Sequence, residues 1–156
     1  SGTTWTATVT IPAEGVSEGD MVIAVSVQDL AGNVEGVDVM AASDSNTVEI
    51  DLTTPTLLHV SIVSDNTDDT SRANDGDTLT MAITSSEQHD EPTVLIAGQA
   101  ATVTEEGTEG TAFTATYTVV GDDCDEGAAS VLVHFSDYAG NDGESVTSTT
   151  DGSVCL

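Results

Sequence analysis

The chain has 156 residues and carries 28 acidic side chains against a single base, Arg72, for a formal net charge of −27. A chain of that sign repels nucleic-acid phosphates and anionic headgroups, so neither nucleic acid nor direct membrane insertion is expected, and no apolar run approaches the roughly 18 residues of a spanning helix. Composition dominated by Thr, Ser, Val, Ala and Gly, with no lysine and 3% aromatic residues, reads as an all-β chain with an aliphatic core. Self-repulsion among so many carboxylates calls for a setting that supplies Ca²⁺, Mg²⁺ or high salt. The acids serve either as a solvated surface, of the halophilic kind, or as specific metal ligands.

In chain order, Trp5, Ala7, Val9 and Ile11 alternate with Thr and read as a strand, and Ile23, Val25 and Val27 read as the next. Asp29-Leu-Ala-Gly-Asn33 follows as a tight turn, in which Gly and Asn can take positive φ. After Thr54-Pro55, Leu58, Val60 and Ile62 alternate with His59, Ser61 and Val63 as a new first strand. Leu79, Met81 and Ile83 form the second. Pro92 precedes the run Thr93–Ile96, Gly98 breaks it, and Ala101–Val103 completes a short hairpin-like pair. Phe113, Ala115, Tyr117 and Val119 give a fifth strand, and Val131, Val133 and Phe135 a sixth. A seventh runs from the turn at Ala139-Gly140-Asn141 toward Val146 and on to Val154.

The opening elements recur. Gly2–Thr10 lies over Gly110–Thr118, Glu18-Gly19 over Glu126-Gly127, and Asp29–Asn33 over Asp137–Asn141, all at the single ungapped offset that separates Trp5 from Phe113, 108 residues. That period is close to the roughly 100 residues of an immunoglobulin-type sandwich and far longer than a solenoid unit. The expected organisation is tandem immunoglobulin-like β-sandwich repeats. Residues 1–52 form the C-terminal half of one, and 53–156 a nearly complete second. Because a half repeat is no natural folding unit, the chain is expected to be an excerpt from a longer array, its half repeat completed by upstream chain or by another subunit.

Tracing the strands up and down puts segments 64–77 and 120–128 at one pole with the end of the last strand, and segments 85–92 and 137–143 at the opposite pole. Cys124 and Cys155 then share a pole and can form a disulfide, worth roughly 3–4 kcal/mol for a loop of about 30 residues and a sign of an oxidising compartment. Free thiols or bridges between chains are the alternative. Their counterparts at the repeat offset, Val16 and Thr47, are not cysteines, so the bond would be local. Acids also gather at the junction: Glu14, Glu18, Asp20, Glu49 and Asp51 on one side, Glu87, Asp90, Glu91 and Asp137 on the other. Oxygen ligands from two domains and their linker suit Ca²⁺, which takes six to eight. The run Asp65–Asp69 lacks the Gly and downstream Glu of an EF-hand loop.

Catalytic motifs are missing from the sequence. No G-x-S-x-G elbow, phosphate-cradling Gly-rich loop or Cys–His motif occurs, and His59, His89 and His134 have no metal-ligand spacing between them, with His134 on the outward face of its strand. The chain is not expected to be an enzyme.

Thr53-Thr54-Pro55-Thr56-Leu57, Asn74–Leu79, Pro92–Ala100, Phe113–Tyr117 and Asp137–Asn141 together resemble the bacterial-type Ig-like repeats of large surface proteins and adhesins, over nearly the whole chain. In the calcium-stiffened members of that class ions sit at domain junctions, which the resemblance carries onto Glu14, Glu18, Asp51, Glu91 and Asp137; the linker Asp51-Leu52-Thr53 departs from the class in having no D-x-D pair. The resemblance implies an extracellular or cell-surface filament, stalk or array segment, whose partners are neighbouring repeats or identical subunits. The alternative is an adhesion module that binds a glycan or protein through the loops of one pole, where Tyr138 is the aromatic placed to stack on a sugar. No Asn-x-Ser/Thr sequon is present, so N-glycans are not expected.

Overall fold

Alternating β-branched and hydroxyl residues lay the chain out in extended segments, and the computed structural model describes it over residues 4–12, 14–39, 46–121 and 127–153. Among the described residues there are strands and turns and no α-helix. The chain divides into two units, Ser1–Leu52 and Thr53–Leu156.

In the first unit, β1 (Gly19–Asp20) pairs antiparallel with β4 (Glu49–Ile50), and β2 (Ile23–Gln28) pairs with β3 (Val34–Val39) from Ile23↔Val39 to Gln28↔Val34. The turn between β2 and β3 is held by Asp29, whose carboxylate accepts from the backbone N–H of Ala31 (2.9 Å) and Asn33 (2.8 Å) and from the Asn33 amide (2.7 Å). Gly32 supplies the positive φ, 92°, that closes it. Residues 4–12 are exposed and lie in no strand.

The second unit is built from two sheets around one core. One sheet has the order β5–β6–β10–β9, from β5 (Leu57–Ser64), β6 (Thr78–Ser85), β9 (Thr102–Glu105) and β10 (Ala112–Thr118). The other has the order β11–β7–β8, from β7 (Thr93–Ile96), β8 (Gln99–Ala100) and β11 (Val131–His134). All pairings are antiparallel. The period-2 pattern sends Val60, Ile62, Leu79, Met81, Ile83, Phe113 and Ala115 inward from the first sheet, and Val94, Ile96, Val131 and Val133 inward from the second, with Phe135 just beyond β11. Each large aliphatic side chain so buried is worth roughly 1.5–3 kcal/mol. This is an all-β architecture compatible with a β-sandwich.

Three local features depart from the simple alternation expected above. The register shifts between Leu57 and His59, so Leu57 packs against the core while Leu58 faces solvent. A bulge inserts one residue and reverses the sides that follow it. Next, Ala97 (φ 52°) and Gly98 (φ 77°) form the two-residue turn joining β7 to β8, the left-handed pair that such hairpins require. The chain then crosses between sheets: β8 pairs with β7, but β9, two residues on, pairs with β10. Lastly, no continuous strand runs from 146 toward 154 among the described residues. Val146 makes a bridge to Val133. Thr150 bonds to the backbone of Val60 from both its N–H and its hydroxyl oxygen, and Ser153 Oγ accepts from the Ile62 N–H at 2.9 Å. Residues 147–153 have no apolar alternation to bury, so their hydroxyls, not a full ladder, satisfy the open edge of β5.

Candidate functional site

The site builds up where the chain enters the second unit. Thr56, just ahead of β5, donates its N–H to Ser86 Oγ (3.0 Å) and accepts from the Ser86 N–H (2.8 Å), so segment 85–92 is stitched to the entry. Ser85 Oγ donates to the Glu87 carbonyl at 2.6 Å and fixes the backbone that presents Glu87. Two residues on, His89 bridges to Asp137 and donates its N–H to the Gly110 carbonyl at 2.9 Å. Segments 85–92 and 137–143 therefore meet at this pole, with the 106–111 loop beside them. At the other end, Val119 and Gly121 bond to Asp77 and Asp75, bringing 64–77 and 119–121 together.

His89 anchors the pole from inside. Its ring is 1% exposed, stacks on Phe113 with centroids 4.6 Å apart, and tilts against Phe135 at 5.3 Å. Nδ1 lies 2.6 Å from the Asp90 carbonyl oxygen, so Nδ1 carries the proton and donates. Nε2 is buried without a hydrogen-bond partner. Pattern alone does not reveal this arrangement: a histidine between exposed Gln88 and Asp90 looks like any loop histidine, and only the sheet packing makes it a core residue.

Asp137 is the buried acid of the pole. Its Oδ1 accepts from the Asn141 N–H and its Oδ2 from the Asn141 amide, both at 2.8 Å. Burial opposes ionisation, but the bonds from the Asn141 side chain and backbone and from Gly140 and Ala139 outweigh it and hold the carboxyl below the usual Asp range. The same turn recurs at Asp29–Asn33 in the first unit, again with glycine at positive φ, 92° at Gly140. A carboxylate oxygen of Glu87 comes within 4.8 Å of one of Asp137. Two hard oxygen donors that close can share a divalent cation. Tyr138 stands beside them, 64% exposed.

Of the residues singled out in the sequence, the structure brings Asp137 together with Glu87, which had been grouped with it at this pole. Glu91 is exposed one residue ahead of buried Pro92. Glu14 and Glu18 are exposed in the first unit, and Asp51 is half-buried there, two residues before the second unit begins. Cys124 and Cys155 lie outside the described residues. His134 is exposed, with Nδ1 3.3 Å from Ser145 Oγ.

The acids at the opposite pole serve the fold itself. Asp65 accepts from the Thr78 N–H, Asp75 from Gly121, and Asp77 from Asn74, each at 2.7 Å; the Asn66 amide adds 2.8 Å to Asp77. The Asn74 N–H first, and the Asn66 amide second, hold the Asp77 carboxyl below its ordinary range.

No family model matches the chain, and no curated protein or solved structure matches it. The fold and the geometry at its entry pole define an all-β protein with an acidic pair in its larger unit.

Proposed function

We propose that the chain is a structural, non-catalytic segment of an extracellular filament, stalk or surface array built of tandem Ig-like repeats, stiffened by a divalent cation at the junction between repeats. The observation that carries this is the approach of Glu87 and Asp137 at the pole where the chain enters the second unit. Ca²⁺ takes six to eight oxygens, and two carboxylates supply at most four. Solvent completes the shell, and a cation held by both carboxylates would join segment 85–92 to the 137–143 turn and stiffen the pole.

The test is thermal unfolding of the whole chain in EDTA, in millimolar CaCl₂, and in NaCl of equal ionic strength, for the native sequence and for Glu87→Gln. Calcium should raise the melting point of the native chain beyond NaCl, and the excess should vanish in the variant. Equal responses to the two salts, or an unchanged excess in the variant, would overturn the assignment. A second reading, adhesion to a glycan or protein, draws on the exposed ring of Tyr138 at the same pole. Tyr138→Ala separates the two, since it would abolish ligand binding and leave the calcium response in place.

A further inference from the structure

The outer face of the sheet β5–β6–β10–β9 carries no acid, although 28 of the 156 residues are acidic. Leu79, Met81, Ile83, Val103, Phe113 and Ala115 pack toward the core, so the alternate positions of β6, β9 and β10 point away from it. Those positions are threonines except for Ala82 and Ala112, and all are exposed or half-buried. The register sets them side by side. Between β6 and β10, Thr78 lies opposite Thr118 and Thr80 opposite Thr116; between β10 and β9, Thr116 lies opposite Thr102 and Thr114 opposite Thr104. Threonines therefore repeat at roughly 4.8 Å across the strands and roughly 6.8 Å along them. Hydroxyl bonds within the face are long: the Thr78 and Thr118 oxygens are 3.5 Å apart, and Thr116 Oγ1 donates to the Thr102 carbonyl at 3.5 Å. The hydroxyls of Thr80, Thr104 and Thr114 have no hydrogen-bond partner among the described residues.

We propose that this face binds ice, its ligand being ordered water held on a neutral array of hydroxyls and methyls. Charge and area select that ligand. A face without charge offers nothing to an ion, and β6, β9 and β10 present on it neither an aromatic ring to stack on a sugar nor an amide to read one. A second copy of the chain would bring the same net charge of −27. The patch, roughly 15 by 20 Å, is also well below the roughly 800 Å² per partner that a stable protein interface buries. Ice makes neither demand, because it is neutral and extends in two dimensions. Neighbouring oxygens of like orientation in one of its layers repeat at separations close to the strand spacing. Each threonine offers a hydroxyl that can take a place in such a layer and a methyl whose cover removes apolar surface from liquid water. Carboxylates hold hydration water that a solid lattice would have to displace at a cost, and this is the face from which they are missing. Sheet twist of roughly 20–25° per strand confines a flat contact to a few strands, and the paired threonines occupy three.

The test uses the whole chain in EDTA, so its outcome does not depend on the cation assignment. A dilute solution is frozen slowly on a seeded cold surface, and the protein in the ice is compared with the protein left in the liquid. Crystal shape and the gap between melting and growth temperatures are recorded on the same sample. The native chain should be enriched in the ice, shape the crystals and hold growth below the melting point. Thr116→Tyr, central in the row Thr80–Thr116–Thr102, and Thr104→Tyr, on the edge strand β9, should each abolish all three effects without changing thermal unfolding. Thr108→Tyr, exposed in the 106–111 loop, should leave them intact. With two face variants, one that fails to fold still leaves the other to decide. A native chain excluded from ice beside unshaped crystals overturns the proposal, as does a folded face variant that still enters the ice. So does a dimer in sedimentation that Thr116→Tyr dissociates, which would assign the face to a second copy.

Discussion

Gly143→Ala tests whether the entry pole is packed as tightly as it looks. The glycine donates its N–H to the Phe135 carbonyl at 3.0 Å, and a Cβ placed on it would meet the Phe135 ring, with Cε1 at 2.8 Å and both Cζ and Cε2 nearer still. Carbon atoms pack best at about 3.5–4.0 Å, so the ring would have to retreat by roughly 1 Å. It has nowhere to go: Phe135 is buried against His89, which is itself stacked on Phe113. Overpacking of this kind costs about 1–3 kcal/mol. The backbone at Gly143 is not left-handed, so alanine should return roughly 0.4–1 kcal/mol by restricting the unfolded chain. The net loss is about 1–2 kcal/mol, which for a domain of this size lowers Tm by roughly 4–16 °C. Both tyrosines, Tyr117 and Tyr138, lie in the second unit, so in a Trp5→Phe background near-UV circular dichroism follows the melting of that unit. Phe135→Leu removes the clashing ring atoms, and the double variant should be less destabilised than the sum of the singles. A Gly143→Ala chain that melts at or above the native temperature, or strict additivity with Phe135→Leu, would refute the packing argument.

Two further predictions concern the same pole. Asp137→Asn replaces an acceptor-only carboxylate with a group that has one oxygen, and one of its two Asn141 bonds becomes a donor facing a donor; the expected loss near neutral pH is about 1.5–3 kcal/mol by urea unfolding in EDTA. The folded Asp137 carboxyl titrates below its unfolded value of about 3.9, so its contribution is present above that value and is lost as pH falls through the folded pKa. The gap between native and variant should therefore close below about pH 4, and a gap independent of pH would show that the charge plays no part. His89→Phe keeps the aromatic stack and removes the unpartnered buried Nε2, while the Asp90 carbonyl, on an exposed residue, can turn to water; stability should stay level or rise by about 1 kcal/mol, whereas His89→Ala should lose about 3 kcal/mol or more. A His89→Phe chain as damaged as His89→Ala would mean that the Nδ1 bond, not the packing, holds the pole.

Much of the second unit is legible because its core strands obey a single rule. Leu79, Met81 and Ile83 alternate without interruption, as do Phe113 and Ala115, and each is buried where period 2 places it. The rule fails where one residue is inserted. Nothing in Leu57-Leu58-His59 marks which leucine faces inward, because both are apolar and a bulge exchanges them. It fails again at Ala101, where a run that reads as one hairpin is divided between two sheets. His89 was illegible for a different reason. Its burial is decided by Phe113 and Phe135, 24 and 46 residues away in sequence, and by a bridge to Asp137. Glu87 and Asp137 could be grouped from topology alone, since the strand path puts their loops at one end. Which acids in that loop actually approach depends on the Ser85 and Ser86 bonds that aim the backbone, and pattern reading does not resolve those.

The charge imbalance shapes how these acids are used. With one base for 28 acids, ion pairing cannot be the means of neutralising them, and the Arg72–Asp69 pair at 3.3 Å is exposed on both sides, where such pairs contribute little. The structured carboxylates turn to uncharged donors: backbone N–H groups at Asp29, Asp65, Asp75, Asp77 and Asp137, and the hydroxyl of Ser71 with its N–H at Asp69. At Asp29, Asp69, Asp77 and Asp137 such bonds hold the carboxyl below its ordinary range, so there they anchor loops while keeping the charge. The repulsion this leaves has to be offset from solution. Screening by any salt relieves it everywhere, over a Debye length of about 8–10 Å at physiological ionic strength. Only a bound divalent cation relieves it at one place and joins the groups there. The comparison of calcium with matched NaCl therefore separates two uses of the same charge. A response common to both salts belongs to the whole surface, and the excess that Glu87→Gln removes belongs to the pole where the chain enters the second unit.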